Sequence, residues 1–204
     1  MDYILQFVAT IILAYIVGSI PTGYLIVKSK TGQDIRTIGS GSTGATNVKR
    51  VLGKKGFFSV MFLDTMKGFL PVILTQYLQV KYNLYAELDI LPILVSVALI
   101  IGHSKSIFLG FTGGKSVATT GGTIFGLNWM VASIALVIWA SFSYFTRYIS
   151  VGSMMAGISL SILMFLFHQK LSYIIYCAIA AIYVIYLHRE NIKRLLSGTE
   201  NKVR

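Results

Sequence analysis

Three polar motifs interrupt an otherwise apolar chain: Gly39-Ser40-Gly41-Ser42-Thr43-Gly44-Ala45-Thr46-Asn47-Val48-Lys49-Arg50, Gly113-Gly114-Lys115 and His188-Arg189-Glu190-Asn191-Ile192. In the first, glycines let backbone N–H groups converge on an anion and Ser and Thr add hydroxyl donors. Lys49 and Arg50 place charge near the start of whatever helix follows. In the third, His188 and Asn191 lie three apart, which on a helical end puts them on one face, able to grip one anion together. The chemistry these residue types suit is the handling of phosphorylated ligands, and the apolar stretches around them set it at a membrane surface.

The elements that must position these motifs are membrane helices. Of 204 residues 55% are hydrophobic and 12% charged, with a mean hydropathy of +0.72, well outside the range of a soluble domain. A bilayer core of about 30 Å needs about 20 apolar residues per helix, and the segments that qualify are 3–27, 57–80, 90–110, 129–148, 151–167 and 171–187. The segment 116–128 is short and rich in small residues, so it is either a helix packed through small-residue faces or a re-entrant segment. Counting it predicts an all-α, polytopic integral membrane protein of seven transmembrane helices. The first stretch has no basic leader and no Ala-x-Ala cleavage site, and it reads as a retained span rather than a signal peptide.

Charge orients the bundle. With seven spans and the N-terminus outside, the loops 28–55, 105–115, 147–150 and 189–204 face the cytoplasm and hold 7, 2, 1 and 5 of the 18 Lys and Arg residues. Only Lys81 and Lys170 lie outside, and Lys67 lies within a span, so the positive-inside rule is met and all three polar motifs fall on the cytoplasmic face. The net charge of +11 would suggest nucleic acid in a soluble protein, but the membrane accounts for it better. The single cysteine, Cys177, excludes an intrachain disulfide, and His103, His168 and His188 are scattered without convergent ligands, so no metal and no cofactor are expected.

The pattern resembles that of the membrane-bound acyl-phosphate:glycerol-3-phosphate acyltransferases, the PlsY-type family. The likeness takes in Gly18-Ser19-Ile20-Pro21, the first loop from Gly39 through Asn47 and Arg50, Asp64-Thr65-Met66-Lys67-Gly68, Gly102-His103, Gly113-Gly114-Lys115, Arg147-Tyr148 with Ser150, and His188 to Ile192. It implies one membrane-embedded acyltransferase domain over residues 1–204, in a bacterial-type plasma membrane, with its active site on the cytoplasmic face. The implied reaction moves a fatty acyl group from acyl phosphate to the 1-position of glycerol 3-phosphate, with a substrate phosphate accepting the proton and without an obligate protein partner. By carry-over, Ser40, Thr46 and Asn47 bind and polarise the acyl phosphate, Arg50, Lys115, His188 and Asn191 hold glycerol 3-phosphate, and Ser150 joins the same site. Gly41, Gly44, Gly113, Gly114 and Lys67 complete the substrate-binding set, and Ser40, Asn47, Lys115, Ser150 and His188 are the catalytic expectation. The chain departs from the family pattern at Ser42, where Asn is usual, at Ser116, where Gly is usual, and at Ser104-Lys105-Ser106, where a proline is common.

Several residues carry a second reading. Lys67 lies three residues after Asp64 inside a span, so its charge needs a partner or a function; a mutual salt bridge and direct phosphate contact both satisfy that. His103 reads as a packing residue, His168 as surface, and Arg147 and Arg189 as membrane anchors. Asp34 and Glu190 are the carboxylates that the cytoplasmic loops offer as a base. The stretch Gly110 to Ser116 has one residue too few for a Walker A loop and no strand beside it, and no histidine has the His-x-x-x-x-Asp spacing of thioester-dependent acyltransferases. The rival class is a transporter for an organic phosphate or other anion, which would place its charges near the midplane. An inactive family member serving as a scaffold is the third class.

Overall fold

The computed structural model describes residues 2–82 and 90–202, and every regular element among them is helical. The helices are α1 (Asp2–Ser19), α2 (Thr22–Thr31), α3 (Ala45–Tyr82), α4 (Ile90–Ser104), α5 (Val117–Leu127), α6 (Trp129–Thr146), α7 (Ile149–Leu166), α8 (Leu171–Leu187) and α9 (Arg189–Leu196), with 3₁₀ turns at Ile35–Thr37 and Ile107–Leu109. They form two compact units, Met1–Leu127 and Asn128–Arg204. Arg204, counted above among the basic residues of the last loop, lies outside the described residues.

Among the described residues, four helical segments are long and apolar enough to cross a membrane: Ile4–Thr31, Ala45–Lys81, Trp129–Thr146 and Ile149–Leu166. The pair Leu171–Leu187 and Arg189–Leu196, bent by 58°, makes a fifth if it is one span. Their apolar residues point outward: only 17% of the most hydropathic window of Ile4–Thr31 is buried, as lipid-facing helices require.

The first apolar stretch is not one uninterrupted helix. Pro21 has no N–H to continue α1 and starts α2 instead, its carbonyl accepting from Leu25 N–H. The helix then runs to Thr31, four residues past the predicted end, where Gly32 closes it in the left-handed conformation (φ 72°). The expected span 90–110 is also shorter, since α4 stops at Ser104 and residues 105–116 form a folded loop. Segment 116–128 is a helix from Val117 to Leu127 packed through small residues: a Cβ on Gly122 would overlap the Thr65 carbonyl of α3. Its 11 residues reach only about 17 Å at 1.5 Å each, short of a bilayer core.

Among the described residues of the first unit, two buried apolar clusters tie the helices together. Ala14, Val72, Leu91, Val95, Ala98 and Leu99 join α1, α3 and α4, and Gly18 meets the Leu99 backbone so closely that any side chain there would clash. Val27, Ile35, Val48 and Val60 form a second cluster that fixes α2, the first 3₁₀ turn and the start of α3, and so frames the first polar loop. In the second unit, Asn128 caps α6 by accepting from Val131 N–H at 3.0 Å. Gly152 lets α7 approach the Trp139 carbonyl of α6, and Gly157 faces Ala181 of α8.

Candidate active site

The first loop is built around Asn47. Its side chain is 2% exposed; its amide nitrogen faces the carbonyls of Ile35 (3.2 Å), Ile38 (2.8 Å) and Ser42 (3.0 Å). Its oxygen accepts from Ser40 N–H (3.1 Å) and from Arg50 Nη1 (3.3 Å). Asn47 therefore shapes the loop and steadies Arg50, a role the sequence pattern did not separate from ligand contact. Gly39 and Gly41 adopt positive φ of 60° and 69°, a conformation glycine enters without the Cβ penalty, and the Arg50 guanidinium lies against Gly39.

The backbone cradle expected of this loop takes a different form. The N–H groups of Ser40, Gly41 and Gly44 donate to Asn47 Oδ1, the Ile38 carbonyl and Ser42 Oγ respectively. What the loop turns outward is side chains: Ser40, Thr46 and Arg50 are exposed. Thr46 lies in the first turn of α3, where the helix dipole favours anions. Ser42, the departure from the family pattern, serves the loop by accepting from Gly44 N–H at 3.3 Å.

Gly113-Gly114-Lys115 lies along the end of α4. Gly114 N–H donates to the His103 carbonyl at 3.1 Å; a Cβ on Gly113 would overlap that carbonyl, and one on Gly114 would overlap the His103 ring. The two glycines are thus demanded by contact, and they deliver Lys115 to the start of α5. Ser116 has a positive φ of 59°, which explains why glycine suits that position, and its hydroxyl donates to the Ile100 carbonyl at 2.8 Å. The rest of the loop is anchored by Ser106, whose hydroxyl donates to the Ser19 carbonyl at 2.6 Å.

Lys67 takes the salt-bridge arrangement: its ammonium lies 2.9 Å from Asp64 and donates to the Ile20 carbonyl at 2.8 Å. Asp34 is paired as well, with two Arg36 nitrogens on its carboxylate at 3.0 and 2.7 Å. Those hydrogen bonds hold its carboxyl below the usual carboxylate range.

In the second unit, His188 ends α8 and Asn191 lies in the first turn of α9, both buried. The imidazole Nδ1 lies 2.8 Å from the Val184 carbonyl, which can only accept, so Nδ1 carries the proton and the ring is fixed. Ser150 and Asn191 are brought together by a residue that the motif reading did not single out. Glu200 accepts from Ser150 Oγ (2.9 Å) and Asn191 Nδ2 (2.6 Å) on one oxygen, and from Arg194 Nε (2.7 Å) on the other. Burial alone would raise its pKa, but the hydrogen bonds from Asn191, Arg194 and Ser150 outweigh it and hold the carboxyl below its ordinary value. Glu190, by contrast, is an exposed partner of Lys193 at 3.1 Å.

Among the described residues no group of His, Cys, Asp and Glu is placed to hold a metal ion. The four carboxylates of the polar segments and of the Lys67 span, Asp34, Asp64, Glu190 and Glu200, each have a cationic partner. What these segments supply is hydroxyls, amides and cations, a set suited to anions rather than to general-base work.

A family model described as "Glycerol-3-phosphate acyltransferase" matches residues 8–198. The glycerol-3-phosphate acyltransferase of Trichormus variabilis is 45% identical over 208 residues, covering 96% of this chain and 91% of the relative. That of Fusobacterium nucleatum is 41% identical over 199 residues, covering 97% of this chain and 98% of the relative. Among solved structures, PlsY, an integral membrane glycerol 3-phosphate acyltransferase, matches in its glycerol 3-phosphate form with a TM-score of 0.89 at 37% identity, over 98% of this chain and 96% of that one. Its lysophosphatidic acid form matches with a TM-score of 0.86 at 35% identity, over the same shares of the two chains.

Proposed function

The chain belongs to the glycerol-3-phosphate acyltransferase family, and from that premise we propose that it transfers a fatty acyl group from acyl phosphate to the 1-hydroxyl of glycerol 3-phosphate. The products are 1-acyl-glycerol 3-phosphate and phosphate, and the reaction is a step of phospholipid synthesis. The glycerol oxygen attacks the carbonyl carbon, the bond from that carbon to the phosphate oxygen breaks, and the hydroxyl proton passes to a phosphate oxygen. Acyl phosphate is a mixed anhydride with a good leaving group, so the protein's task is to neutralise two phosphates and align the hydroxyl.

The observation that carries this reading is the outward face of the Asn47-centred loop, where Ser40, Thr46 and Arg50 gather hydroxyl donors and a fixed cation at the head of α3. In this reading Ser40, Thr46 and the Asn47-shaped loop engage the acyl phosphate. Arg50, Lys115, His188 and Asn191 hold glycerol 3-phosphate, with Ser150 acting through the same polar cluster as Asn191. The cation pairing of the described carboxylates supports the substrate phosphate as the proton acceptor. The distribution of Lys and Arg supports a topology of seven passes, α5 counted as a short pass packed against α3 and not as a full-length span, with the N-terminus outside, the C-terminus in the cytoplasm and the chemistry at the cytoplasmic face of a bacterial-type plasma membrane. In it the whole of 1–204 works as one acyltransferase domain, without an obligate protein partner.

The test is product formation by purified, detergent-solubilised protein from glycerol 3-phosphate with palmitoyl phosphate, palmitoyl-CoA or an acyl carrier protein thioester as donor. Turnover with the acyl phosphate alone, abolished in Lys115→Ala, is the expected result. Turnover with a thioester instead would overturn the donor assignment. Silence with all three donors from folded protein would overturn the reaction and make organic-phosphate uptake into liposomes the next assay.

A further inference from the structure

A buried carboxylate in the first unit gathers groups from four segments, and the proposed reaction makes no use of it. Asp64 of α3 is 1% exposed. Its Oδ1 accepts from Thr22 Oγ1 at the start of α2 and from Lys67 Nζ at 2.9 Å. It faces His103 Nδ1 of α4 at 3.6 Å. Lys67 extends the cluster to the α1–α2 bend through the Ile20 carbonyl at 2.8 Å.

The cluster has an arm to each anion-binding loop of this unit. Gly23, next to Thr22, lies flush on the Thr43 carbonyl of the first loop, with no room for a Cβ. On the other side His103 supports the second loop twice, its carbonyl accepting from Gly114 N–H and its ring pressed against the Gly114 Cα. Thr43 leads directly to Gly44 and Thr46, and Gly114 leads directly to Lys115.

Stability gives a weak reason for such a cluster. An ion pair taken out of water is matched or bettered by apolar side chains of the same volume, and inside a span both charges are costly. Apolar groups, however, could not hold a hydroxyl and an ammonium on one oxygen at set directions while turning that oxygen towards a buried imidazole nitrogen 3.6 Å away that has no hydrogen-bond partner of its own among the described residues.

We propose that Asp64 and His103 are positioning residues: the carboxylate sets the first loop through Thr22 and the second through His103, and so holds the two loops at the separation turnover needs. This rests on the acyltransferase reading above. Misplacing aligned groups by about 1 Å is enough to cost on the order of 100-fold in rate, so the effect belongs mainly in kcat.

The experiment compares His103→Ala, His103→Asn, His103→Gln and Asp64→Asn with the wild type. It reads kcat and KM for glycerol 3-phosphate and palmitoyl phosphate, melting temperature in detergent, and hydrogen exchange of the amides from 40 to 46 and from 111 to 116. His103→Ala is expected to lower kcat by at least about tenfold with KM changed less than about threefold and to speed exchange in both loops. Gln, long enough to reach Gly114, should recover more turnover than Asn, which keeps only the side facing Asp64. Unchanged kcat in His103→Ala and Asp64→Asn would overturn the proposal. So would a kcat loss that follows melting temperature with no advantage of Gln over Asn, or faster exchange confined to residues 111–116. An inactive wild type would refute the acyltransferase reading instead, and the exchange data would still decide the coupling of the two loops.

Discussion

Removal of the Glu200 carboxylate should loosen the end of the second unit far more than its place in a C-terminal tail would lead one to expect. The side chain is 8% exposed and accepts from Ser150, Asn191 and Arg194 at 2.9, 2.6 and 2.7 Å. Ser150 and Asn191 are buried, and a buried polar group deprived of its partner costs about 1–3 kcal/mol. Arg194 is about a third exposed, so its ion pair is screened and contributes about 1 kcal/mol or less. Glu200→Ala should therefore destabilise by about 3–5 kcal/mol, which for a chain of this length lowers the melting temperature by roughly 10 °C. Glu200→Gln keeps an acceptor for Ser150 and Asn191 but turns a donor towards Arg194, so about 1–2 kcal/mol is expected.

The same contacts fix the sign of a pH dependence. A carboxyl whose folded pKa is depressed adds stability that is present above its unfolded value, here 4.5, and is lost as pH falls through the lower folded value. Melting curves of the wild type and of Glu200→Gln should thus differ at neutral pH and converge below that value. Glu200→Ala within about 0.5 kcal/mol of wild type, or Gln as damaging as Ala, would refute the reasoning.

Three further outcomes follow from the loops. Asn47→Ala takes the side-chain donor from the carbonyls of Ile35, Ile38 and Ser42 and the acceptor from Ser40 N–H, while backbone N–H groups still reach Ile35 and Ile38, so thermal unfolding should show a loss of about 1–3 kcal/mol and the acyl-transfer assay no turnover. Gly114→Ala forces a methyl into the His103 ring, and its kcat should fall by at least about tenfold; unchanged kinetics would show that Lys115 does not depend on that contact. Ser116→Gly relieves a left-handed backbone worth about 1 kcal/mol but gives up a buried hydroxyl bond to Ile100 of similar size, so its unfolding midpoint should lie close to that of wild type.

Hydropathy made most apolar segments legible because lipid-facing helices cannot hide their composition, but it could not find their internal breaks. Pro21 stands within the first apolar stretch, where a proline can either kink a span or end a helix, and backbone geometry shows where α1 stops and α2 starts. The Asp64–Lys67 pair was readable from its spacing, since residues three apart in a helix meet. Glu200 was not, because its partners Ser150 and Asn191 lie 50 and 9 residues away, and no local periodicity links them. Asn47 was readable as a ligand-binding candidate but not as the centre of the loop: its residue type suits either role, and the carbonyls that its amide faces cannot be located from sequence. The glycines divide the same way. Gly39 and Gly41 answer to backbone conformation and Gly113 and Gly114 to contact with His103, a distinction that composition does not contain.

The pairing of the carboxylates also bears on why the cluster around Asp64 matters. A reaction that relied on a side-chain base would need one acid kept near its substrate with a pKa close to working pH. Here Asp34 and Glu200 are held below their ordinary pKa by their partners, which makes them poorer proton acceptors. If the proton goes to a substrate phosphate, rate is left to depend on alignment of the two substrates, and the residues that govern alignment need not touch either. Thr22, Asp64 and His103 are buried or half-buried groups of that kind, tied to the loops that carry the proposed binding side chains. Substitutions at such positions should therefore lower turnover while leaving substrate affinity largely intact, a pattern opposite to that expected of Arg50 or Lys115, where loss of a phosphate contact raises KM as well.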